Sequence, residues 1–169
     1  MSATQSESPQ SLLPLPLPDA DHRHLQWGRL HGASIGLALA EARRDARTPA
    51  LILTASAGEA DALEHELRFF GPRLAIARFS DYETLPYEPN SPPPDLLAER
   101  LSILHDLANA KPLTVIATCD AVLGRLPPVD FVRAHALVLR VGETIDRTAM
   151  LSDMSDHGYM RVERVSAPV

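Results

Sequence analysis

Short apolar runs alternate with stretches of helical spacing through the middle of the chain. The runs at 50–54, 74–79 and 113–118 are typical of β-strands, and between them apolar positions recur every three or four residues. The predicted helices cover 35–47, 58–70, 95–109 and 120–126. Strands that alternate with helices over short breaks indicate a parallel sheet with right-handed crossovers. The sequence therefore predicts an α/β domain in which helices flank a parallel sheet.

The same pattern predicts which side chains of these elements are buried. The strand at 50–54 is apolar throughout, as expected of a strand that is covered on both faces. Ile35 is expected to be a core residue, and Asp95 is placed to cap the helix that follows the proline cluster. The residues predicted to share one face of that helix are Leu97, Leu101, Leu104 and Ala108.

A second β–α–β pattern closes the sequence. A strand is predicted around 134–140, a helix over 144–154 and an alternating strand over 159–165, which is typical of the opening of a second α+β module. The chain is therefore expected to be a fragment of a longer protein. The predicted parts are a leader at 1–24, an α/β subdomain at 25–135 and the start of the second module at 136–169. The Pro- and Ser-rich leader is either a flexible extension or a docking peptide.

Composition narrows the function classes. The 169 residues are 45% apolar and 22% charged with a net charge of −6, which fits a globular protein and argues against a broad basic face for nucleic acid. The single cysteine, Cys119, excludes an intramolecular disulfide, favours a reducing compartment and is expected to be a small buried hydrophobe. No apolar run approaches the ~18 residues that span a bilayer. The expected location is the cytoplasm, without a membrane partner.

A nucleotide site is the first chemistry to test in such a fold. A phosphate loop needs glycines, a lysine for the β- and γ-phosphates and a hydroxyl for magnesium at the start of a helix. The candidate loop here consists of Gly32, Ala33, Ser34, Ile35 and Gly36. Ile35 stands in the lysine position and Gly36 in the hydroxyl position, while the one carboxylate after the strand at 113–118, Asp120, is more typical of a helix N-cap. We therefore predict a degenerate loop and no catalytic, cofactor or metal site in this chain.

The segment between the second strand and the third helix reads DYETLPYEPNSPPP. Its side chains Tyr82, Leu85 and Tyr87 form either a small core of the loop itself or a recognition surface with an acidic rim. Glu99 and Arg100 fall on the polar side of the following helix. They are either a solvated face or part of the same interaction surface.

The DYETLPY string, the Ser-Pro step after it and the run Arg100-Leu101-Ser102 resemble the N-terminal region of the bacterial transcription-repair coupling factors. That region is itself similar to the excision-repair protein UvrB. The resemblance runs from about Trp27 to the end of the chain. It implies that 25–135 is a degenerate RecA/UvrB-like domain 1a without a working phosphate loop, and that 136–169 begins a module that contacts UvrA.

The resemblance also implies a division of labour within a larger parent protein. The complete coupling factor would be an ATP-dependent DNA translocase of the helicase type, which releases RNA polymerase stalled at DNA lesions and recruits UvrA for nucleotide-excision repair. ATP, magnesium, RNA polymerase and double-stranded DNA would be bound by other parts of the parent. This chain would be a non-catalytic adaptor and autoinhibitory module.

UvrA is the partner that the resemblance implies for this chain. The family's clearest UvrA-contacting arginines come after Val169, so Arg161 and Arg164 lie either near that surface or on a solvated strand. The alternative is an independent nucleotide-binding or nucleic-acid-remodelling α/β enzyme, in which this fold still binds ATP.

Overall fold

The computed structural model describes residues 15–19, 21, 23–82, 92–134, 141–156 and 159. In chain order the elements are α1 (Ser34–Arg43), β1 (Ala50–Thr54), α2 (Ala57–Phe70), β2 (Ala75–Phe79), α3 (Pro94–Ala108), β3 (Leu113–Thr118), α4 (Cys119–Leu123), α5 (Val129–Ala134) and α6 (Arg147–Asp156). β1 and β3 have the predicted bounds, β2 and α2 differ from prediction by one residue at one end, and α3 begins and ends one residue earlier than predicted. No helix in this part of the chain is long and apolar enough to cross a membrane.

The strands form a parallel sheet whose order is β1-β3-β2 within the described residues. β3 lies at the centre, so that Val115 is the register partner of Leu51 in β1 and of Ala77 in β2. The predicted α/β fold with a parallel sheet between helices is therefore confirmed. Ala134 ends helix α5 rather than beginning a strand, and 135–140 and 160–165 lie outside the described residues.

Two apolar clusters lie on opposite faces of the sheet because successive side chains of β3 point to opposite sides. On one face Ile116 packs with Leu63 and Leu67 of α2 and with Ala40 of α1. The cluster on the other face joins the sheet to α3 and α4 and consists of Phe79, Ile103, Leu113, Val115, Ala117 and Ala121. The central strand is thus covered on both sides.

β1 is covered on only one face, so the prediction of a fully covered strand is wrong. Leu51 and Leu53 remain 56% and 50% exposed, whereas Ile52 between them packs against the α2 cluster. Among the described elements, α3 packs against β2 and β3 on this side and covers β1 little if at all. Leu51 and Leu53 therefore face solvent beside the buried Val115 and Ala117.

α3 turns a different face to the core from the predicted one. Leu97 and Leu101 are exposed, while Arg100 and Ile103 are buried and Leu104 packs partly against the cluster. Asp95 is not the cap, because the helix begins at Pro94, whose missing N–H costs nothing in the first turn.

Three further predictions of burial and capping are wrong. Ile35 is 43% exposed, and the thiol-bearing Cys119 is exposed as the first residue of α4. Thr118 caps α4 by accepting a hydrogen bond from the Ala121 N–H, so Asp120 is not the N-cap. The strand ends one residue before Cys119, which moves this side chain out of the alternating apolar pattern.

α6 is the described helix of the predicted second module. It begins later than predicted, after Asp146, whose carboxylate accepts hydrogen bonds from the N–H groups of Thr148 and Ala149 at 2.9 and 3.2 Å. None of its residues is buried. The proposed boundaries between leader, subdomain and second module stay predictions.

Candidate functional site

The degenerate loop forms a turn that leads directly into α1. Gly32 has a positive φ of 53°, and the Ser34 hydroxyl both donates to the carbonyl and accepts from the N–H of His31, each at 2.8 Å. The Ser34 side chain is thereby used by the turn itself. Residues 23–30 contain no strand, so the strand–loop–helix unit of a phosphate loop is not formed.

A carboxylate from α2 lies against the first turn of α1. The Gly36 N–H donates to Glu66 Oε2 at 3.1 Å. In a phosphate-binding protein, an N–H in the first turn of such a helix would instead donate to the phosphate. A Cβ added at Gly36 would lie 2.5 Å from the same oxygen, so the carboxylate needs a glycine here. A phosphate at this position would meet the negative charge of Glu66 without a lysine to compensate it.

An apolar groove of about 440 Å³ opens beside this loop, and we call it the loop groove. It lies between α1, β1 and α2, next to the carboxyl end of β1 where ligands of parallel sheets commonly bind. Its walls are Gly32, Ile35, Leu39, Ile52, Leu53, Thr54, Ala55, Glu59, Ala62, Leu63 and Glu66. None of these wall residues is a lysine, arginine or histidine, so the groove offers no cation to a nucleotide.

Arg100 lies in the core at the end of β2, with 2% of its surface exposed. Its guanidinium carbon lies 3.9 Å from the ring centre of Phe79 and 4.0 Å from that of Tyr82, so the cation stands between two aromatic rings. It also donates to the carbonyls of Ser80 and Ala121, the latter at 3.4 Å. We call this arrangement the arginine clamp; it joins β2, α3 and α4.

The clamp corrects the predicted role of Arg100 as a solvated or interacting surface residue. Glu99 beside it is exposed, as predicted. The spacing of residues along α3 could have indicated that Arg100 is buried. It belongs to a stripe at intervals of three and four residues that also contains Ile103, Leu104 and Leu107. An arginine in such a stripe can be buried when aromatic rings and carbonyls receive its charge.

Of the other residues predicted to form an interaction surface, the structure describes Tyr82. Tyr82 is half-buried against Arg100, which favours the small-core interpretation for this side chain. Leu85 and Tyr87 lie outside the described residues, as do Arg161 and Arg164. In the part of the chain that the structure describes, no group of three His, Cys, Asp or Glu side chains could hold a metal ion.

Arg43 ties the end of α1 to the sheet beneath it. Its Nε donates to Thr114 Oγ1 at 3.1 Å and its Nη2 to the Thr48 carbonyl at 2.5 Å. Burial lowers the pKa of Arg43 below its usual value, and the guanidinium still stays charged at neutral pH. This contact fixes α1, and hence the loop, on the sheet.

The described strands and helices form a parallel α/β domain that is consistent with the RecA/UvrB-like class, and its loop at 32–36 contains no lysine. No protein-family model matches the chain. The chain is similar to the transcription-repair-coupling factor of Escherichia coli (strain K12), with 29% identity over 151 residues. The corresponding factor of Haemophilus influenzae is 26% identical over 151 residues, and that of Bacillus subtilis (strain 168) is 33% identical over 75 residues.

The resemblance to the bacterial transcription-repair coupling factors is thereby confirmed, and the chain is related to them by sequence. The matches to the E. coli and H. influenzae proteins cover 89% of this chain. They cover only 13% of each of those proteins, and the B. subtilis match covers 44% of this chain and 6% of its relative.

Proposed function

We propose that this chain is the UvrB-like, non-catalytic part of a transcription-repair coupling factor and that it acts by protein contact. The parent would be the ATP-dependent DNA translocase that releases RNA polymerase stalled at DNA lesions. This part would contact UvrA in the cytoplasm and thereby recruit it for nucleotide-excision repair. ATP, magnesium, RNA polymerase and double-stranded DNA would be bound elsewhere in the parent.

One observation carries the non-catalytic part of the proposal. Glu66 Oε2 accepts the Gly36 amide hydrogen at 3.1 Å, at the helix start where a phosphate would otherwise be held. Ile35 stands where a phosphate loop has its lysine. The alternative, an independent nucleotide-binding or nucleic-acid-remodelling enzyme, requires ATP to bind at this carboxylate without a cation, which electrostatics opposes.

Autoinhibition belongs to the same proposal. A UvrB-like module can be held against the rest of the parent in one state and released to UvrA in another, provided that UvrA binds the released state more tightly. The expected result is that this chain, added separately, lowers the ATP hydrolysis rate of a parent protein from which it has been deleted. An unchanged rate would contradict the autoinhibitory role.

The contact with UvrA is tested by retention on the immobilised chain. UvrA is expected to be retained without ATP and to be released by free UvrB, because the two would compete for the same partner surface. Reversing the charges of Arg161 and Arg164 to Glu is expected to weaken retention. The matched control reverses Arg68 and Arg73, so that the change in net charge is equal. Failure of UvrB to compete would contradict the proposed contact.

A further inference from the structure

We propose that the loop groove binds a peptide segment that presents apolar side chains flanked by arginine or lysine. This surface is separate from residues 136–169, to which the UvrA contact was assigned. The proposal therefore stands or falls independently of UvrA binding.

The apolar part of the argument comes from side chains that the fold leaves uncovered. Ile35 is 43% exposed and lines the groove together with Leu39. Ile52 and Leu63 form its deeper wall and belong to the same cluster as the buried core of α2. A cavity of about 440 Å³ with apolar walls falls within the ~300–1,000 Å³ of typical ligand sites.

The charged part of the argument identifies what kind of ligand fits. Glu59 and Glu66 both line the groove and are seven residues apart on α2, so they lie on the same side of the helix two turns apart. Each carboxylate accepts one backbone N–H, that of Ala55 at 3.0 Å and that of Gly36 at 3.1 Å. An ionised carboxylate has room for several hydrogen bonds, so both retain acceptor capacity for a cationic ligand.

Charge complementarity selects one occupant among those that an apolar groove could take. Two glutamates and no basic residue among the groove walls attract a cationic segment and repel phosphates. A second copy of this chain is disfavoured because each copy carries a net charge of −6. A peptide with apolar and basic residues can contact both the exposed isoleucine, Ile35, and the two carboxylates.

The experiment uses the full chain and two fluorescein-labelled twelve-residue peptides, one alternating Leu with Arg and one alternating Leu with Glu. Fluorescence anisotropy is expected to show binding of the Leu/Arg peptide only. The double variant Glu59→Gln, Glu66→Gln keeps an oxygen acceptor for each backbone N–H and is expected to weaken binding at least tenfold. The matched control, Asp61→Asn with Glu64→Gln, removes the same charge from α2 outside the groove and is expected to change binding less than threefold.

A second pair of variants tests the apolar contact. Ile35→Thr is expected to weaken binding of the Leu/Arg peptide about tenfold, whereas Ile145→Thr, at a 44% exposed isoleucine outside the groove, is expected to leave it unchanged. Equal effects of the groove and control variants would overturn the proposal, as would equal binding of the Leu/Glu peptide. Displacement of the peptide by ATP would assign the groove to a nucleotide instead. Sedimentation that shows self-association dependent on Ile35 would assign the groove to a second copy.

Discussion

Arg100 joins three elements through one guanidinium group. Its flat cation fits between the rings of Phe79 and Tyr82 and donates to the carbonyls of Ser80 and Ala121. A buried charge is tolerated only when such partners replace its water. Its Nε is buried without a hydrogen-bond partner among the described residues, so the rings carry part of that compensation.

Arg100→Lys is expected to destabilise the chain by about 2–3 kcal/mol, because an ammonium cannot stack between two rings and reach both carbonyls. Urea unfolding followed by circular dichroism measures the change. Arg68→Lys is the control, since Arg68 pairs with Glu64 at an exposed position and is expected to contribute less than ~0.5 kcal/mol. Equal effects of the two substitutions would contradict the clamp.

Gly36→Ala tests the contact between α1 and the Glu66 carboxylate. Alanine ordinarily stabilises a helix interior by up to ~1 kcal/mol relative to glycine, but here its Cβ would collide with Glu66, so a loss of about 1–2 kcal/mol is expected. In a Glu66→Gly background, which removes the Glu66 Cβ that would lie 2.4 Å from the added Cβ, the same substitution is expected to become stabilising. Gly58→Ala is the control because an added Cβ meets nothing within 4 Å there. Additive effects in the double-mutant cycle would show that the two residues do not interact.

At the scale of elements, β1 and β3 show that an apolar run predicts the bounds of a strand but not which of its faces is covered. Both runs predicted strands with the observed bounds, because a continuous apolar run of five or six residues has few other stable conformations in this pattern. Coverage depends on which helices pack over each strand. α3 contacts β2 and β3, which leaves the outer face of β1 open although its sequence is as apolar as that of β3.

The register partners Leu51 and Val115 provide a matched test of this difference. Val115→Ala is expected to cost about 1.5–3 kcal/mol because the side chain is 1% exposed and its loss leaves a cavity. Leu51→Ala removes more atoms but is expected to cost less than ~1 kcal/mol, since Leu51 is already 56% exposed. Chemical denaturation measures both changes, and a larger loss at Leu51 would show that a further segment covers β1.

Helix α2 begins with a side-chain cap, whereas α3 begins without one. Ser56 accepts from the Glu59 N–H at 3.2 Å, so Ser56→Ala is expected to lower stability by about 1 kcal/mol. Asp95 lies within the first turn of α3 and only favours the helix dipole, so Asp95→Ala is expected to cost at most ~0.5 kcal/mol. Thermal unfolding compares the two, and an equal or larger effect at Asp95 would restore it as the cap.

At the scale of the whole molecule, the sequence predicted the observed fold class because this follows from local patterns, whereas the loss of phosphate binding stays a prediction. The strand–helix alternation defined the α/β fold, and Ile35 and Gly36 could be read directly in the loop. The burial of Arg100 and the contact of Glu66 with Gly36 depend on residues that are 18 to 30 positions apart. The helical spacing could have indicated that Arg100 is buried, but no local period reports its aromatic partners or the contact of Glu66 with Gly36.

Under the proposed function, the chain contains a UvrB-like α/β domain that acts by protein contact rather than by nucleotide binding. Its similarity to the coupling factors of E. coli and H. influenzae extends over 89% of its length, including the degenerate loop region of the fold. The parent's activity would then depend on nucleotide bound elsewhere.

Titration of ATP with magnesium into the isolated chain tests this account most directly. Isothermal calorimetry is expected to show no saturable binding up to about 1 mM ATP, a limit that corresponds to a binding free energy weaker than about −4 kcal/mol. A micromolar dissociation constant that is lost in the Gly32→Val variant would contradict the account, because it would place a working nucleotide site at the loop that carries Ile35 and contacts Glu66.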